Sequence, residues 1–235
     1  MSDLASLLTL QHVDTAIDQG RHRRTHLPEA AAAKAARDAL SAAEAKLAAL
    51  TATKDADEAE QATHEHRIEE FNARIVEIDR RTKIVSVPKE LQALSTERDG
   101  LVNRRSEAED RELEVMERLE AVSAEIDALN LVIADARAAN DAATIALAEA
   151  QVAVDGDLAR LAQERTDAVA KVPAALLATY ESMRPKLGGV AVAQLEHGHC
   201  TGCRLQLPAS EIDRIKHQAA DEIVTCEQCG RILVR

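Results

Sequence analysis

The sequence has almost no aromatic side chains. Its 235 residues include no Trp, one Phe and one Tyr, and alanine makes up much of the 46% hydrophobic content. Alanine offers little apolar area, whereas burying one Leu or Phe side chain contributes about 1.5–3 kcal/mol. This scarcity argues against a large compact core. The composition favours long helices instead, because Ala, Glu, Leu, Arg and Asp dominate it, as they do in coiled coils.

A secretory signal and a long apolar run are also missing. The N-terminus, MSDLASLLTLQHVD, has no basic start followed by an apolar segment, so it does not resemble a signal peptide. No apolar stretch approaches the roughly 20 residues needed to cross a bilayer. We therefore expect a cytoplasmic protein with no membrane partner. In that compartment paired cysteines bind metal more often than they form disulfides.

Positive charge is scarce over most of the chain. The net charge is −12, and residues 183–235 carry seven Lys or Arg against six Asp or Glu, so their +1 leaves −13 on residues 1–182. Such an acidic body repels nucleic acid. Any nucleic-acid contact must therefore be local.

The few prolines and glycines delimit the predicted helices. Residues 3–20 form a short amphipathic helix that ends at Gly20, a second helix runs from about 29 to about 82, and a third from Lys89 to about Lys171. Pro28 and Pro88 suit the first turns of the two long helices. A helix of about 83 residues would be on the order of 125 Å long, which demands a packing partner.

A heptad repeat indicates that the two long helices pack against each other. From Val115 to Val154 twelve positions advance alternately by four and three residues, and all but Asn140 are apolar. This is a strong coiled-coil signal. The second helix repeats it less well, with four polar residues at successive core positions: Lys54, Asp57, Gln61 and His64. We predict a mainly α fold in which residues 1–172 form a long antiparallel coiled-coil hairpin, with a break near 20–28 and a tip near 83–88.

The C-terminal part changes character. Pro173 ends the long helix, and residues 173–188 are predicted to form a connecting helix, at 174–183, and a linker. Residues 189–235 predict a small α+β domain. VAVAQLEHG, DEIVTC and RILVR alternate as strands do, and PASEIDRIKHQ indicates a short helix.

All four cysteines lie in this small domain, as two C-x2-C pairs separated by 22 residues. They are Cys200, Cys203, Cys226 and Cys229. Four thiolates at about 2.3 Å form a closed tetrahedral site for one structural Zn²⁺. Gly202 and Gly230 are expected to supply the tight turns at positive φ. We expect His197 and His199 to lie outside the ligand set.

Other interpretations of the cysteines are weaker. A redox pair requires a lone C-x-x-C near a βαβ unit, and a disulfide framework does not fit the missing signal peptide. The spacing leaves an iron site open, with zinc as the default metal. Catalytic zinc keeps an open position for water, which four cysteines do not leave. The metal is therefore expected to stabilise the domain rather than act in catalysis.

Four segments carry a resemblance to a known family. LLTLQHVDTAIDQGRHRRTHLPE lies near the start, KELQAL follows the hairpin turn, and CTGCRLQLP and CEQCGRIL contain the cysteine pairs. In these segments and in the order of its elements the chain resembles the bacterial C4-type zinc ribbon proteins with an N-terminal coiled-coil hairpin. This group includes chaperone or adaptor proteins of flagellar and type III secretion systems. The resemblance implies a zinc-ligand role for each of the four cysteines, no enzymatic activity, and binding to nucleic acid or to secretion or transcription components.

Basic residues cluster around the predicted tip. Residues 80–105 carry seven Lys or Arg against three Asp or Glu, a balance of +4. Ten residues are predicted to bind a partner: Arg80, Arg81, Lys83, Lys89, Arg98, Arg104 and Arg105 at the tip, and Arg204, Arg231 and Arg235 on the ribbon. The alternative is a solvated helix face whose charges pair at i,i+4 spacing.

The sequence thus predicts a non-enzymatic adaptor, a monomer or weak dimer without a small-molecule substrate, whose tip and ribbon dock a protein partner. The alternative is a nucleic-acid-binding protein that uses the same basic groups for phosphate contacts. Base-specific recognition is not expected, because the ribbon has no aromatic side chains on which bases stack.

Overall fold

The computed structural model describes residues 3–219 and 222–235. Met1 and Ser2, at the start of the predicted hairpin, and Ala220 and Asp221, the latter in the predicted DEIVTC strand, lie outside the described residues. The chain forms two compact units. We call residues 1–32 with 144–235 the ribbon unit, and residues 33–143 the hairpin unit. The prediction had instead treated residues 1–172 as one body.

Four helices occupy most of the chain. They are α1 (Asp3–Thr25), α2 (Pro28–Thr82), α3 (Pro88–Val169) and α4 (Ala174–Met183). Helices α2, α3 and α4 lie close to their predicted bounds. A proline begins both α2 and α3, because the N–H that proline lacks has no acceptor in a first turn. Among the described residues, no helix combines the length and the apolar character needed to cross a bilayer.

Helix α1 is longer than predicted. We expected it to end at Gly20, but it continues to Thr25. Gly20 is buried, and a Cβ at this position would lie 2.8 Å from Leu158 Cδ2 of α3. The glycine therefore permits the two helices to approach closely and does not end the first one. The basic run that follows is helical, and its Arg24 forms an ion pair of 2.8 Å with Asp155.

Within the hairpin unit, α2 and α3 run antiparallel. Ion pairs join Arg98 to Asp79 at 2.8 Å and Arg137 to Glu44 at 3.0 Å, so residue numbers rise in one helix as they fall in the other. Residues 83–87 connect the helices, close to the tip predicted near 83–88. The antiparallel hairpin is confirmed.

The hairpin core follows the predicted heptad positions. The α3 series that begins at Val115 is buried or half-buried throughout, and so are the four polar positions of α2, where His64 is 5% exposed. Near the connection, four aliphatic residues form a buried cluster: Ile75, Ile78, Leu94 and Leu101. The structure therefore keeps the heptad register even where the sequence places polar groups in it.

Besides α1, α4 and the adjoining ends of α2 and α3, the ribbon unit contains a four-stranded sheet and the short helix α5 (Ala209–His217). Its strands are β1 (Val192–Glu196), β2 (His199–Cys200), β3 (Val224–Thr225) and β4 (Ile232–Val234), in the order β2-β1-β4-β3. The central pair, β1 and β4, is parallel, and the two outer pairs are antiparallel. The predicted α+β character of this region is confirmed.

The sheet separates two buried clusters, because successive side chains of a strand point to opposite faces. Ile232 packs with Leu7 of α1 and Tyr180 of α4. Its neighbour Leu233 packs on the other face with Ile215 of α5 and the cysteines. The strands that carry the cysteine site are therefore also part of a helical core.

Hydrogen bonds fix α1 to the first strand. The Gln11 side chain accepts from the backbone N–H of Ala191 at 2.7 Å and donates to the carbonyl of Gly189 at 2.9 Å. With the shared core, these bonds join the predicted ribbon at 189–235 to the first helix. The residues that we expected to link two domains, at 173–188, contribute Leu176 and Tyr180 to the core.

A buried carboxylate strengthens the same packing. Asp14 is 1% exposed, and it accepts hydrogen bonds from Arg165 Nε at 2.7 Å and from the Tyr180 hydroxyl at 2.6 Å. Burial, and next the hydrogen bond to Asp14, raise the pKa of Tyr180 well above its ordinary value. Tyr180 therefore acts as a neutral hydrogen-bond donor.

Candidate functional site

The four cysteine sulfurs converge on one point. All lie within 4.8 Å of one another, with Sγ separations of 3.9 Å between Cys200 and Cys229 and 4.0 Å between Cys203 and Cys226. A tetrahedral metal with four sulfurs at about 2.3 Å holds them about 3.8 Å apart. The observed spacing fits such a site. It is far longer than the roughly 2.05 Å of a disulfide, and all four thiols are free.

Tight turns present each pair of sulfurs. In the second pair the N–H of Gly230 donates to the Cys226 carbonyl at 2.8 Å, and Gly230 has the predicted positive φ, 72°. In the first pair the N–H of Arg204 donates to the Cys200 carbonyl at 2.7 Å. Here the residue at positive φ is Arg204, at 63°, and not a glycine.

Gly202 is required for a different reason from the one predicted. A Cβ at this position would lie 2.5 Å from Cδ of Arg231 and 3.0 Å from Cβ of Ala193. The glycine therefore makes room for the arginine side chain beside the cysteine site. The C-x2-C pattern alone gives no sign of this contact, because Arg231 belongs to the other pair's turn.

The surroundings of the four thiols give them different pKa values. Burial raises the pKa of Cys226 to about 12, although the N–H groups of Gln228 and Cys229 oppose the change. Burial also acts against ionisation of Cys229, but hydrogen bonds from the backbone and guanidinium of Arg231 lower its pKa to about 7. A bound cation would favour the thiolate form of all four. Arg231 thus supports the ionised form at one corner of the site.

The donor set suits zinc. Four soft thiolates in a small cage are typical of structural Zn²⁺ sites. Zinc bound there would cross-link the two cysteine turns. The four cysteines would fill all of its coordination positions. His197 and His199 are exposed at the β1–β2 turn, and the sulfur cluster contains neither.

Family profiles match the two parts of the chain in order. The CT398-like coiled coil hairpin domain matches residues 10–188, and the C4-type zinc ribbon domain matches residues 199–233. The chain belongs to the CT398-like coiled-coil hairpin family. The resemblance drawn from the four sequence segments is therefore confirmed.

Relatives of this family cover nearly the whole chain. Uncharacterized protein Rv2229c of Mycobacterium tuberculosis is 32% identical over 232 residues, 98% of this chain and 94% of that protein. A solved structure from Mycobacterium smegmatis covers 100% of both chains, with 28% identity and a TM-score of 0.88. CT398 from Chlamydia trachomatis is 18% identical and covers 99% of this chain and 97% of its own, with a TM-score of 0.77. At that identity the likeness shows the shared fold.

The structure separates the predicted tip cations into two groups. Arg80 pairs with Glu77 at 2.9 Å, Arg98 with Asp79 at 2.8 Å, and Arg105 donates to Asn72 at 3.1 Å. These three are engaged within the hairpin unit, Arg80 by a neighbour in its own helix and the other two by residues of the facing helix. The remaining four have no hydrogen bond or ion pair from their side chains in the described part of the chain. They are Arg81, Lys83, Lys89 and Arg104.

Two of the three predicted ribbon cations have internal partners. Arg231 Nε donates to the Val190 carbonyl at 2.8 Å, and the Arg235 guanidinium donates to the carbonyls of Ile215, at 2.6 Å, and Ala219, at 2.7 Å, at the end of α5. The Arg204 side chain is exposed and has no partner among the described residues. A charge count cannot separate these cases, because it contains no information on backbone acceptors.

The tip also exposes apolar side chains that sequence reasoning did not select as contact residues. Ile84 is 73% exposed and Val87 is 55% exposed, in the segment that connects α2 to α3. Two β-branched residues so close to Lys83 and Lys89 were a usable signal.

Proposed function

We propose that this protein is a non-enzymatic, zinc-containing adaptor whose hairpin tip binds an acidic protein surface. The observation that carries the proposal is the pairing of exposed Ile84 and Val87 with unpaired cations at Lys83 and Lys89. Clustered exposed apolar groups mark interaction sites. Neighbouring cations favour an acidic partner and speed association with it.

The cysteine site supports a structural role for the metal. Four sulfurs leave zinc no open position for water or substrate. Zinc binding would then contribute to folding of the ribbon unit, with no direct part in chemistry. Thiols kept free for a metal fit a reducing compartment such as the cytoplasm.

A protein partner is favoured over nucleic acid by the character of the tip. Single-stranded nucleic acid binds to platforms of aromatic side chains, and residues 80–89 contain none. Aliphatic Ile84 and Val87 suit an apolar patch on a protein instead. Phosphate contacts by the unpaired cations are the competing use of the same surface, and the test below includes them.

Affinity capture with matched charge reversals tests the proposal. The tip variant is Lys83→Glu/Lys89→Glu, and the control is Lys46→Glu/Lys186→Glu, which makes the same charge change at exposed lysines away from the tip that have no ion-pair partner among the described residues. We expect the wild type and the control to retain a common protein in the presence of nuclease, and the tip variant to lose it. A second variant, Ile84→Ser/Val87→Ser, should lose the same protein without any charge change.

Two results would contradict this function. If both tip variants retain the partner, the tip is not the binding site. If nuclease removes everything that the wild type captures, and short RNA or DNA binds at low salt with a steep salt dependence, the phosphate-contact alternative is correct.

A further inference from the structure

A cavity of about 280 Å³ in the hairpin unit is lined by three arginines, Arg67 from α2 and Arg104 and Arg111 from α3. The side chains of these three residues form no hydrogen bond or ion pair with another described residue. The two helices thus place three guanidinium groups without ion-pair partners around one cavity. Guanidinium groups bind oxyanions well, because their planar fork matches two oxygens at once.

Other arginines of the hairpin unit behave differently. Arg98 pairs with Asp79 at 2.8 Å, and Arg118 contacts Asp57 at 3.0 Å across the two helices. The hairpin therefore satisfies arginines where carboxylates face them. Around this cavity the facing carboxylates do not reach the arginines.

A buried imidazole lines the same cavity. His64 is 5% exposed at a heptad core position, and its Nδ1 has no hydrogen-bond partner. Its Nε2 lies 3.7 Å from Oε1 of Glu60, beyond hydrogen-bonding distance. A buried polar group without a partner is destabilising. Nδ1 has almost no accessible surface, so the imidazole would have to turn for an oxyanion in the cavity to accept a hydrogen bond from it and remove that penalty.

Two carboxylates also line the cavity, and they limit the ligand. Glu107 has no ion-pair partner among the described residues, and Glu70 lies 3.4 Å from His66. The lining charges are therefore three cations and two carboxylates. This modest excess of positive charge suits a small anion better than a polyanion.

We propose that this cavity binds a phosphate-type oxyanion, either inorganic phosphate or the phosphate group of a small monoester. Arg67, Arg104 and Arg111 would hold its oxygens, and His64 would donate a hydrogen bond to it. The site involves none of the tip side chains of the proposed adaptor function except Arg104. The two proposals can therefore fail separately.

Calorimetric titration of the full-length, zinc-loaded protein tests the site. Inorganic phosphate and glycerol phosphate are titrated in separate arms at constant ionic strength, so the arms distinguish the two sources of the phosphate group. We expect saturable binding with a Kd of about 1 mM or tighter in at least one arm. Absence of saturation in both arms would overturn the proposal.

Matched variants assign the binding to the cavity. Arg104→Gln/Arg111→Gln should weaken binding by about tenfold or more, a loss of the order expected for charge-assisted hydrogen bonds. The control Arg98→Gln/Arg118→Gln removes the same charge from paired arginines and should leave the Kd unchanged. Equal weakening in both would show diffuse charge attraction and overturn the site.

His64→Leu separates a binding role from a purely structural one. Leucine suits a heptad core position, so the thermal midpoint of the hairpin unit should rise while phosphate affinity falls several-fold. Unchanged phosphate affinity in this variant would remove His64 from the site and contradict the proposed geometry. Helicity measured by circular dichroism checks that the variant is folded.

Discussion

The ribbon unit and the hairpin unit treat buried polar groups in opposite ways. In the ribbon unit Asp14 is almost fully buried, and Arg165 and Tyr180 both donate hydrogen bonds to it. In the hairpin unit His64 is also buried, yet its Nδ1 has no partner. A core built from several elements offers donors from many directions, whereas two paired helices offer only one seam. The ribbon unit therefore depends on specific polar contacts, and the hairpin unit depends on a repeating heptad pattern.

The two units also differ in how many of their polar side chains remain available to a partner. Several polar side chains of the ribbon unit are used internally, as Arg231 and Arg235 show. In the hairpin unit the heptad register is enough to hold the helices together. Side chains outside the seam, such as Lys83 and Ile84, are then available for a partner.

Of the changes considered, removal of the metal should alter the relative stability of the two units most. Structural zinc contributes about 10–16 kcal/mol of apparent binding free energy in small zinc domains. Cys226→Ser should therefore lose bound zinc and the amide protection of strands β1 to β4, while helix protection in the hairpin unit remains. Metal analysis and hydrogen exchange measure both.

His199→Gln is the control for that experiment, because His199 lies beside the site but outside the sulfur cluster. It should keep about one zinc per chain, as four cysteines predict. Strands that stay protected in Cys226→Ser, or in a chelator, would show that the ribbon unit does not depend on metal.

Loss of the buried Asp14 carboxylate should have the second-largest effect on stability. Asp14→Ala leaves the buried Tyr180 hydroxyl without an acceptor and removes one of the two carboxylates that contact Arg165. Each donor that loses its buried acceptor costs about 1–3 kcal/mol. Tyr180 is the sole tyrosine of a chain without Trp, so its fluorescence reports urea unfolding of the ribbon unit. Asp38→Ala, which breaks an exposed pair with Lys34 in the hairpin unit, should cost less than about 1 kcal/mol, measured by hydrogen exchange of the helical amides in that unit. Similar losses in the two variants would contradict the contrast between the units.

Truncation of one leucine in each unit gives an intermediate effect. Leu7 is fully buried in the core shared by α1 and the sheet, whereas Leu47 is half-buried in the helical seam. Leu7→Ala should destabilise its unit by about 2–5 kcal/mol, and Leu47→Ala by less than about 2 kcal/mol. Hydrogen exchange resolves the two units separately. A larger loss at Leu47 would mean that the seam carries more stability than its burial indicates.

Two glycine substitutions should have the smallest effects. A Cβ at Gly100 would meet nothing within 4 Å, whereas one at Gly20 would lie 2.8 Å from Leu158. Gly100→Ala should raise the free energy of unfolding by up to about 1 kcal/mol through helix propensity. Gly20→Ala should gain less, because the leucine methyl must shift. Denaturant unfolding of both variants checks the order, and the reverse order would refute the close approach of α1 and α3.

Repeating patterns explain why so much of the fold could be predicted. The heptads place the same residue types in one seam over many turns, and Pro28 and Pro88 begin helices for a local reason. The cysteine spacing is equally local, since each pair lies within one turn. These features depend on neighbours in sequence, so the sequence is sufficient to recognise them.

Contacts between distant segments explain what the prediction missed. Gly20 seemed to end a helix because its neighbour Leu158 lies far along the chain. The role of Arg231 depends on the carbonyl of Val190 in the same way. One signal was available, because Gln11 and Asp14 are polar residues on the inward face of α1. Polar groups at such positions need partners, and these partners lie in α3, in α4 and beside β1.

The hydrogen bond from Ala191 to Gln11 spans 180 residues of sequence. A ribosome adds about 5–20 residues per second, so it makes α1 roughly 10–40 s before it makes the residues around β1 that donate to Gln11. During that interval the apolar face of α1, with Leu7 and Leu10, has no sheet to cover it. Folding of the ribbon unit is therefore a late event with high contact order, and the apolar face of α1 stays open to other molecules until the sheet has been made.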